Sequence, residues 1–321
     1  MKAFFMTAGA DGTRLEAREV ERPAPGPGQV LVRVRAAGLN RGELIAGAAA
    51  KAGAAKPAGQ EAAGEVAGVG EGVSLAQGAR VMGRCPGAFA EYALMDAREA
   101  IAIPERLSWE EAASIPLVFT VVHDMLVTHG RLQAGEWLLV AGIASGVGVA
   151  ALQAAKAMDA RVIGTSGSAE KLSKLERLGL DVAVQTRRGD FSRQVATATG
   201  GKGANLAINA VGGSVFPELV RAAAFEGRIA IVGYVDGVLK SEIDLDALHT
   251  KRLAVFGVSN KLRNAAQRAT SVEGFRRDFL PLFASGRIRP LLDKVFPFGE
   301  TPAATAYMER DAHVGKVVVS M

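Results

Sequence analysis

The segment Glu136 to Gly148, EWLLVAGIASGVG, carries residue types that can bind phosphate groups. Trp137 to Ala141 form an apolar run that predicts a buried strand, and Val149 to Ala157 form an alanine-rich helical pattern. Glycines between them would let the backbone approach a pyrophosphate, and the first helical turn would offer unpaired N–H groups. Glycine clusters also occur in ordinary loops. The residues predicted to contact the phosphates are Ser145, Gly146, Val147 and Gly148.

The residues about 20 positions past these glycines decide which dinucleotide is preferred, because NAD sites normally place an acid there. This chain has Thr165-Ser166-Gly167-Ser168 instead, with Lys171 one turn into the next helix. Two hydroxyls and an ammonium favour a 2′-phosphate, and Arg187 and Arg188 would add positive charge at the same edge. The pattern predicts NADP(H). The alternative is that Ser168 only caps its helix and Lys171 is a solvated surface residue.

A sheet is needed to position these residues, and strand and helix signals alternate behind the glycine turn. Further strands are predicted at Arg161 to Thr165, Val182 to Val184, Asn205 to Val211, Arg228 to Val232 and Leu253 to Val258. The helices between them are predicted at Ala169 to Leu178, Phe191 to Thr199 and Val215 to Ala224. Apolar runs separated by helical segments predict a doubly wound parallel sheet within an α/β fold.

The flanking segments have a different pattern, with short alternating strands broken by turns. These strands are predicted at Gln29 to Arg35, Gly64 to Val69, Ala79 to Met82 and Ala88 to Leu94, which indicates an antiparallel β domain. Near the end of the chain we expect a strand around Val295, a helix from Ala303 to Glu309 and a last strand, Lys316 to Ser320, that joins this domain. The predicted domains are therefore 1–119 with 259–321, and 120–258.

Composition limits the class of protein. The 321 residues are 49% hydrophobic, which allows two domains with a sizeable core. The single cysteine, Cys85, excludes an internal disulfide and any multi-cysteine zinc site, and cytoplasmic residence is the simplest interpretation. Neither a membrane span nor a signal peptide is indicated. The net charge of +5 is scattered along the chain, so we expect no nucleic-acid partner.

Several segments in order along the chain carry a family resemblance. They are Pro23 to Leu44, Gly59 to Val73, Gly87 to Met95, Glu110 to Leu126, the glycine turn, and the ending at Gly315 and Lys316. In these segments the chain resembles the medium-chain dehydrogenase/reductase superfamily, and within it the zinc-free NADPH:quinone oxidoreductase branch that includes zeta-crystallin. The resemblance implies a GroES-like antiparallel β domain with an inserted Rossmann domain, and a homodimer or homotetramer.

Metal-ligand residue types are missing from the positions that zinc-dependent relatives use. Those relatives have a cysteine and a histidine where this chain has Ala37-Gly38-Leu39-Asn40 and Gly59-Gln60-Glu61. The four-cysteine lobe of a structural zinc site is missing as well, and the four histidines lack metal-like spacing. We therefore expect no metal.

Two residues are candidates for a catalytic role. The resemblance implies that Asn40 lies near the nicotinamide and the substrate, and that Tyr234 follows the fifth strand close to the nicotinamide. Many relatives that reduce enones or enoyl thioesters carry a tyrosine shortly after the Asn40 region, whereas this chain has Glu43-Leu44-Ile45-Ala46-Gly47. As alternatives, Asn40 stabilises a turn, Lys316 is a surface strand residue, and His123 is a core residue rather than a cleft residue. Further expected cofactor contacts are Thr120, Gly233, Asn260 and Lys316.

Three functions fit these observations. The first is an NADPH-dependent reductase of quinones, since the hydroquinone anion formed by hydride transfer can be protonated by water without a dedicated acid. Asn40 would then aim its dipole at the developing oxyanion. The second is a reductase of activated carbon–carbon double bonds in an enone, enal or enoyl thioester. The loop from Ala48 to Ala55 would open a wide pocket for either substrate. The third is a non-catalytic NADPH-binding protein.

Overall fold

The computed structural model describes residues 1–9, 12–43 and 55–321, so nearly all of the predicted pocket loop, Ala48 to Ala55, lies outside the described residues. The chain forms two compact units. Unit 1 comprises Met1–Thr120, Asn264–Ala284 and Arg289–Met321, and unit 2 comprises Val121–Arg263 and Ser285–Ile288. The sequence places the boundaries after residues 119 and 258. Residues 259–263 belong to unit 2, where Arg263 forms an ion pair with Asp124.

The secondary structure has the following bounds. The strands are β1 Lys2–Gly9, β2 Gly12–Glu19, β3 Gln29–Gly38, β4 Lys56–Pro57, β5 Glu61–Val69, β6 Arg80–Arg84, β7 Tyr92–Asp96, β8 Ile101–Ala102, β9 Trp137–Ala141, β10 Arg161–Ser166, β11 Val182–Gln185, β12 Ala204–Asn209, β13 Ala223–Ile231, β14 Ala254–Gly257, β15 Leu292–Pro297 and β16 Lys316–Ser320. The helices are α1 Trp109–Ala113, α2 Pro116–His123, α3 Gly146–Ala157, α4 Ala169–Glu176, α5 Ser192–Ala198, α6 Phe216–Ala222, α7 Leu245–Thr250, α8 Ala265–Asp278, α9 Leu280–Ser285 and α10 Thr301–Glu309.

Unit 1 is built on a seven-stranded sheet in the order β15-β16-β3-β5-β6-β8, with β7 also paired to β3. Strand β3 runs antiparallel to β5, β7 and β16. The last strand therefore pairs with a strand of the first domain, as predicted, with Val318 opposite Gly38. A smaller sheet has the order β2-β1-β4. Apolar side chains of β3, β5 and β16 form the core, and they include Val32, Val34, Val66, Val317 and Val319.

Unit 2 contains a six-stranded parallel sheet in the order β11-β10-β9-β12-β13-β14. This arrangement confirms the predicted doubly wound sheet. The first strand of the unit, β9, lies in the middle, and the order of strands reverses between β9 and β12. In such sheets ligands bind outside the carboxyl ends of the strands, at this reversal. The core around it includes Leu139, Ile163, Phe191 and Leu219.

Some predicted elements differ from those in the structure. The strand predicted at Ala88 to Leu94 begins only at Tyr92, because the preceding residues bond outside a regular ladder, with Phe89 N donating to Ala58 O. The helix predicted at Val215 to Ala224 ends at Ala222, where β13 begins and pairs with β12. Helices α1, α7, α8 and α9 lie outside the segments that we predicted as helical. Within the described ranges, no helix is both long enough and apolar enough to cross a bilayer.

Candidate functional site

The glycine turn of unit 2 connects β9 to α3 and lies at the reversal of strand order. Helix α3 begins at Gly146, three residues earlier than predicted, because Ser145 caps it. The Ser145 hydroxyl accepts from Gly148 N at 3.1 Å and donates to Gly142 O at 2.8 Å. Both hydrogen bonds of this hydroxyl therefore stabilise the turn.

Gly148 has no room for a side chain. A Cβ atom at this position would lie 2.5 Å from the carbonyl oxygen of Ile143 and 2.7 Å from that of Gly142. The N–H groups of Gly146 and Val147, in the first turn of α3, have no carbonyl of their own helix to bond. Together with the positive end of the helix dipole, they fit the pyrophosphate of a dinucleotide.

The loop after β12 lies beside this turn, and its key residue, Asn209, is not among the predicted site residues. Its side chain is buried, accepts from the N–H groups of Val211 and Gly212 at 3.0 and 2.9 Å, and donates to Gly212 O at 2.9 Å. An asparagine at a strand end before two glycines was the available signal in the sequence. A rigid loop thus lies next to Gly142, whose Cβ would come 3.3 Å from Val211.

The predicted 2′-phosphate residues come together at the carboxyl ends of β10 and β11. Ser166 Oγ accepts from Ser168 N at 3.3 Å, and the Ser168 hydroxyl caps α4 by accepting from Lys171 N at 3.3 Å. The capping role that we considered for Ser168 is therefore present. A capping hydroxyl keeps its own hydrogen, so it can still donate to a phosphate oxygen.

Arg187 lies against the same edge. Its side chain runs over Gly167, where a Cβ atom would be 2.8 Å from Arg187 Cγ and 3.2 Å from its Nε. The backbone N–H of Thr186 donates to Ser166 O at 3.0 Å, which ties the two strand ends together. This edge therefore holds hydroxyls and cations, and β10 ends in a serine instead of an acid.

Three other predicted residues of unit 2 follow β13 and β14. Gly233 N donates to Asn209 O at 3.3 Å, and the Asn260 carbonyl accepts from Arg263 N at 3.3 Å. Tyr234 is 47% exposed, and its carbonyl accepts from Gly237 N at 3.0 Å. All three lie at the carboxyl edge of the sheet.

In unit 1, a buried polar cluster surrounds Lys316. Its Nζ donates to Glu61 Oε1 at 2.7 Å, to Leu39 O at 2.8 Å and to Asn40 Oδ1 at 2.9 Å. Lys316 is 6% exposed and Glu61 is 0% exposed, so Lys316 is not the surface strand residue that we considered as an alternative. The ammonium has an oxygen acceptor for each of its three hydrogens.

Asn40 is fully engaged within this cluster. Its Nδ2 donates to Glu43 Oε1 at 3.0 Å and to Glu61 Oε1 at 2.8 Å, while its Oδ1 accepts from Lys316. An amide nitrogen has two hydrogens. Both are used here, so in this arrangement Asn40 orients two carboxyl groups. Its contact with a substrate oxyanion stays a prediction.

Several hydrogen-bond donors hold the carboxyl group of Glu61 in place. In addition to Lys316 and Asn40, it accepts at Oε2 from Leu117 N, 2.8 Å away in the first turn of α2. Gly38 makes room for it, because a Cβ there would lie 2.6 Å from Glu61 Oε1.

The carboxyl group of Glu43 is perturbed by its surroundings. Burial raises its pKa to about 8, and the charge of Glu61 also raises it, while the hydrogen bond from Asn40 and the charge of Lys316 lower it. The carboxyl group of Glu43 is therefore mostly protonated at neutral pH. Glu43 and Glu61 were not predicted as site residues, because the sequence drew attention only to the tyrosine and the metal ligands that are missing near them. The available signal was that each is a lone acid within a short run of uncharged or basic residues.

The remaining candidates in this part of the chain are buried. The Thr120 hydroxyl donates to Pro116 O at 2.7 Å within its own helix. His123 is 3% exposed, which agrees with its interpretation as a core residue. Burial raises the pKa of the Cys85 thiol to about 12, so it stays protonated and unreactive.

The residues at the zinc position of relatives do not form a zinc-binding set. Zinc prefers thiolate and imidazole ligands, whereas this place holds an amide, a carboxylate and the ammonium of Lys316. Across the described ranges there is no group of three histidine, cysteine or acidic residues suited to a metal ion.

Comparisons with known proteins agree with this fold. Residues 26–105 match the alcohol dehydrogenase GroES-like domain, and residues 146–271 match the zinc-binding dehydrogenase family. The chain is 32% identical, over 95% of its length, to the erythronolide synthase EryA2 of Saccharopolyspora erythraea, but it spans only 8% of that protein. It is 32% identical to quinone oxidoreductase-like protein 2 of Bos taurus, covering 82% of this chain and 76% of that one.

Three solved structures match all of this chain, and the chain in turn covers all of each of them. An NAD-dependent alcohol dehydrogenase is 30% identical with a TM-score of 0.86, and a mycobacterial protein complexed with NADPH is 25% identical with a TM-score of 0.90. CurK enoyl reductase is 26% identical with a TM-score of 0.86. The chain belongs to the medium-chain dehydrogenase/reductase superfamily of oxidoreductases, and its quinone oxidoreductase-like relatives support the zinc-free branch.

Proposed function

We propose that this protein transfers hydride from NADPH to a quinone without a metal ion. The cluster around Lys316 is the observation that carries the proposal. Interconversion of an alcohol and a carbonyl in zinc enzymes depends on a Lewis acid to stabilise the alkoxide. The amide, carboxylate and ammonium found here do not suit zinc, so acceptors that take hydride without a Lewis acid fit this site better. Quinones are such acceptors.

NADPH as the donor is supported by unit 2. The first turn of α3 at Gly146 and Val147 would bind the pyrophosphate, and Ser166, Lys171 and Arg187 would bind the 2′-phosphate through charge-assisted hydrogen bonds. The bound cofactor would supply the hydride. The similar mycobacterial protein is complexed with NADPH, which also supports this donor.

The second candidate is reduction of an activated carbon–carbon double bond. The observation that favours it is the mostly protonated carboxyl group of Glu43, because an enolate formed by hydride addition needs a proton at carbon. The similarity to a polyketide-type synthase and to an enoyl reductase also supports it.

Anaerobic NADPH oxidation tests the proposal. The acceptors are 1,4-benzoquinone, 9,10-phenanthrenequinone, enones and enoyl thioesters, and metal content and activity in a chelator are measured on the same protein. We expect the quinones to have the highest kcat/KM, far less than one zinc per chain, and unchanged activity in the chelator. Alkenes reduced faster than every quinone would favour the second candidate. If none of the acceptors supports NADPH oxidation, a non-catalytic role is favoured.

A further inference from the structure

The cluster in unit 1 contains two carboxyl groups and one ammonium within a few ångströms of one another. Asn40 Nδ2 lies 3.0 Å from Glu43 and 2.8 Å from Glu61, and Lys316 Nζ lies 2.7 Å from Glu61. With both carboxyl groups ionised, this buried cluster would carry a net negative charge, which is costly away from water. One bound proton makes the cluster neutral.

The hydrogen bonds decide where that proton resides. Glu61 accepts at Oε1 from Lys316 and Asn40 and at Oε2 from Leu117 N, so both of its oxygens already accept hydrogen bonds. Glu43 accepts at Oε1 from Asn40. Among the described residues, no hydrogen bond involves its second oxygen, Oε2. The proton therefore belongs on Glu43, with the O–H at Oε2.

Exposure separates the members of the cluster. Lys316 and Glu61 are buried, whereas Asn40 and Glu43 keep part of their surface exposed. Glu43 is therefore the acid of the cluster that a ligand or solvent can reach. The charged groups facing it are Glu61 on β5 and Lys316 on β16, while the adjacent Arg41 is bonded to Met308 O and Asp311.

We propose that Glu43 is the acid that protonates the reduced acceptor, an inference that rests on the proposed function. Hydride transfer oxidises NADPH and leaves the acceptor as an anion. The O–H bond of Glu43 then breaks and its proton forms a new O–H bond on the hydroquinone anion, leaving Glu43 as a carboxylate. A proton from solvent restores the acid. Lys316 and Asn40 act as positioning residues, because their hydrogen bonds hold the carboxyl groups of Glu61 and Glu43 in place.

A pH profile of Glu43→Gln tests this role. The proposal requires the protonated carboxyl, so kcat of the unmodified protein should fall as the pH rises through about 8, the pKa of Glu43. Glu43→Gln should lose at least about tenfold in kcat at neutral pH, and this decline should vanish. Glu65→Gln is the matched control, since Glu65 lies on β5 and pairs with Arg35 at 3.0 Å, outside the cluster. It should keep the kcat and the profile of the unmodified protein.

Infrared difference spectra recorded against pH test the protonation state without turnover. The unmodified protein and Glu65→Gln should show a protonated carboxyl band that disappears through about pH 8, and Glu43→Gln should lack it. Equal kcat and equal pH profiles for Glu43→Gln and the unmodified protein would overturn the proposal and leave water as the proton source. Absence of NADPH oxidation with every acceptor would instead overturn the proposed function, while the infrared result would still decide whether Glu43 holds the proton.

Discussion

Lys316 and Glu61 form a buried ion pair, with Nζ of the lysine 2.7 Å from Oε1 of the glutamate, although 255 positions separate them in the chain. The pair joins the first residue of β16 to the first residue of β5, on either side of β3 in the sheet. The pair places a buried positive charge beside the segments Ala37 to Asn40 and Gly59 to Glu61, where the resemblance implies that zinc-dependent relatives have metal ligands. The pair also orients Asn40, which in turn bonds Glu43.

Removing the ammonium should destabilise the fold. In Lys316→Met, the charge of Glu61 loses its buried partner, and breaking such a pair costs about 3–5 kcal/mol. The free energy of unfolding in urea measures this change. Lys202→Met, at an exposed lysine, is the control and should change stability by less than about 0.5 kcal/mol. Similar small losses in both variants would show that the Lys316 pair contributes little.

Stability should also depend on pH through Glu43. Its pKa in the folded protein, about 8, lies above the ordinary value of 4.5, so the folded state holds the proton more tightly than the unfolded state. The resulting stabilisation is fully present below pH 4.5 and is lost as the pH rises through about 8. Glu43→Gln has no such proton. The difference in unfolding free energy between the two proteins should therefore shift in favour of Glu43→Gln as the pH rises, and a constant difference would contradict this prediction.

The parallel sheet of unit 2 was predictable because its signals are local. Strand β9 begins and ends where the sequence predicts, at Trp137 and Ala141, since its apolar run is bounded by a charged residue and a glycine. Helix α8 gave a weaker signal, because few of its residues are buried. Its capping box, formed by Asn264 and Gln267, is the local signal that marks where this helix begins.

The buried cluster was not predictable from local patterns. Asn40, Glu61 and Lys316 meet only because β3 pairs with both β5 and β16, and no periodicity in the sequence specifies that pairing. The sequence indicated which positions lack metal ligands. It could not show that both hydrogens of the Asn40 amide are donated to Glu43 and Glu61.

Cofactor preference should follow the charges at the ends of β10 and β11. We expect NADPH to be preferred over NADH by at least about tenfold in kcat/KM, equivalent to roughly 1.4 kcal/mol. Ser166→Asp combined with Lys171→Ala should reduce or reverse this preference, because a carboxylate would repel the 2′-phosphate. Lys202→Ala, at an exposed lysine, should leave it unchanged. Equal kcat/KM values for the two cofactors in the unmodified protein would refute the assignment of this edge.

The glycine turn should not tolerate even a methyl group at Gly148. A Cβ there would meet Ile143 O at 2.5 Å, so Gly148→Ala must move the turn away from its phosphate-binding shape. We expect it to lower stability by about 1–3 kcal/mol and to raise the Kd for NADPH at least about tenfold. Gly257→Ala is the matched control, because nothing lies within 4 Å of a Cβ at that position. Calorimetric titration with NADPH measures both variants, and unchanged binding in Gly148→Ala would show that this turn does not hold the pyrophosphate.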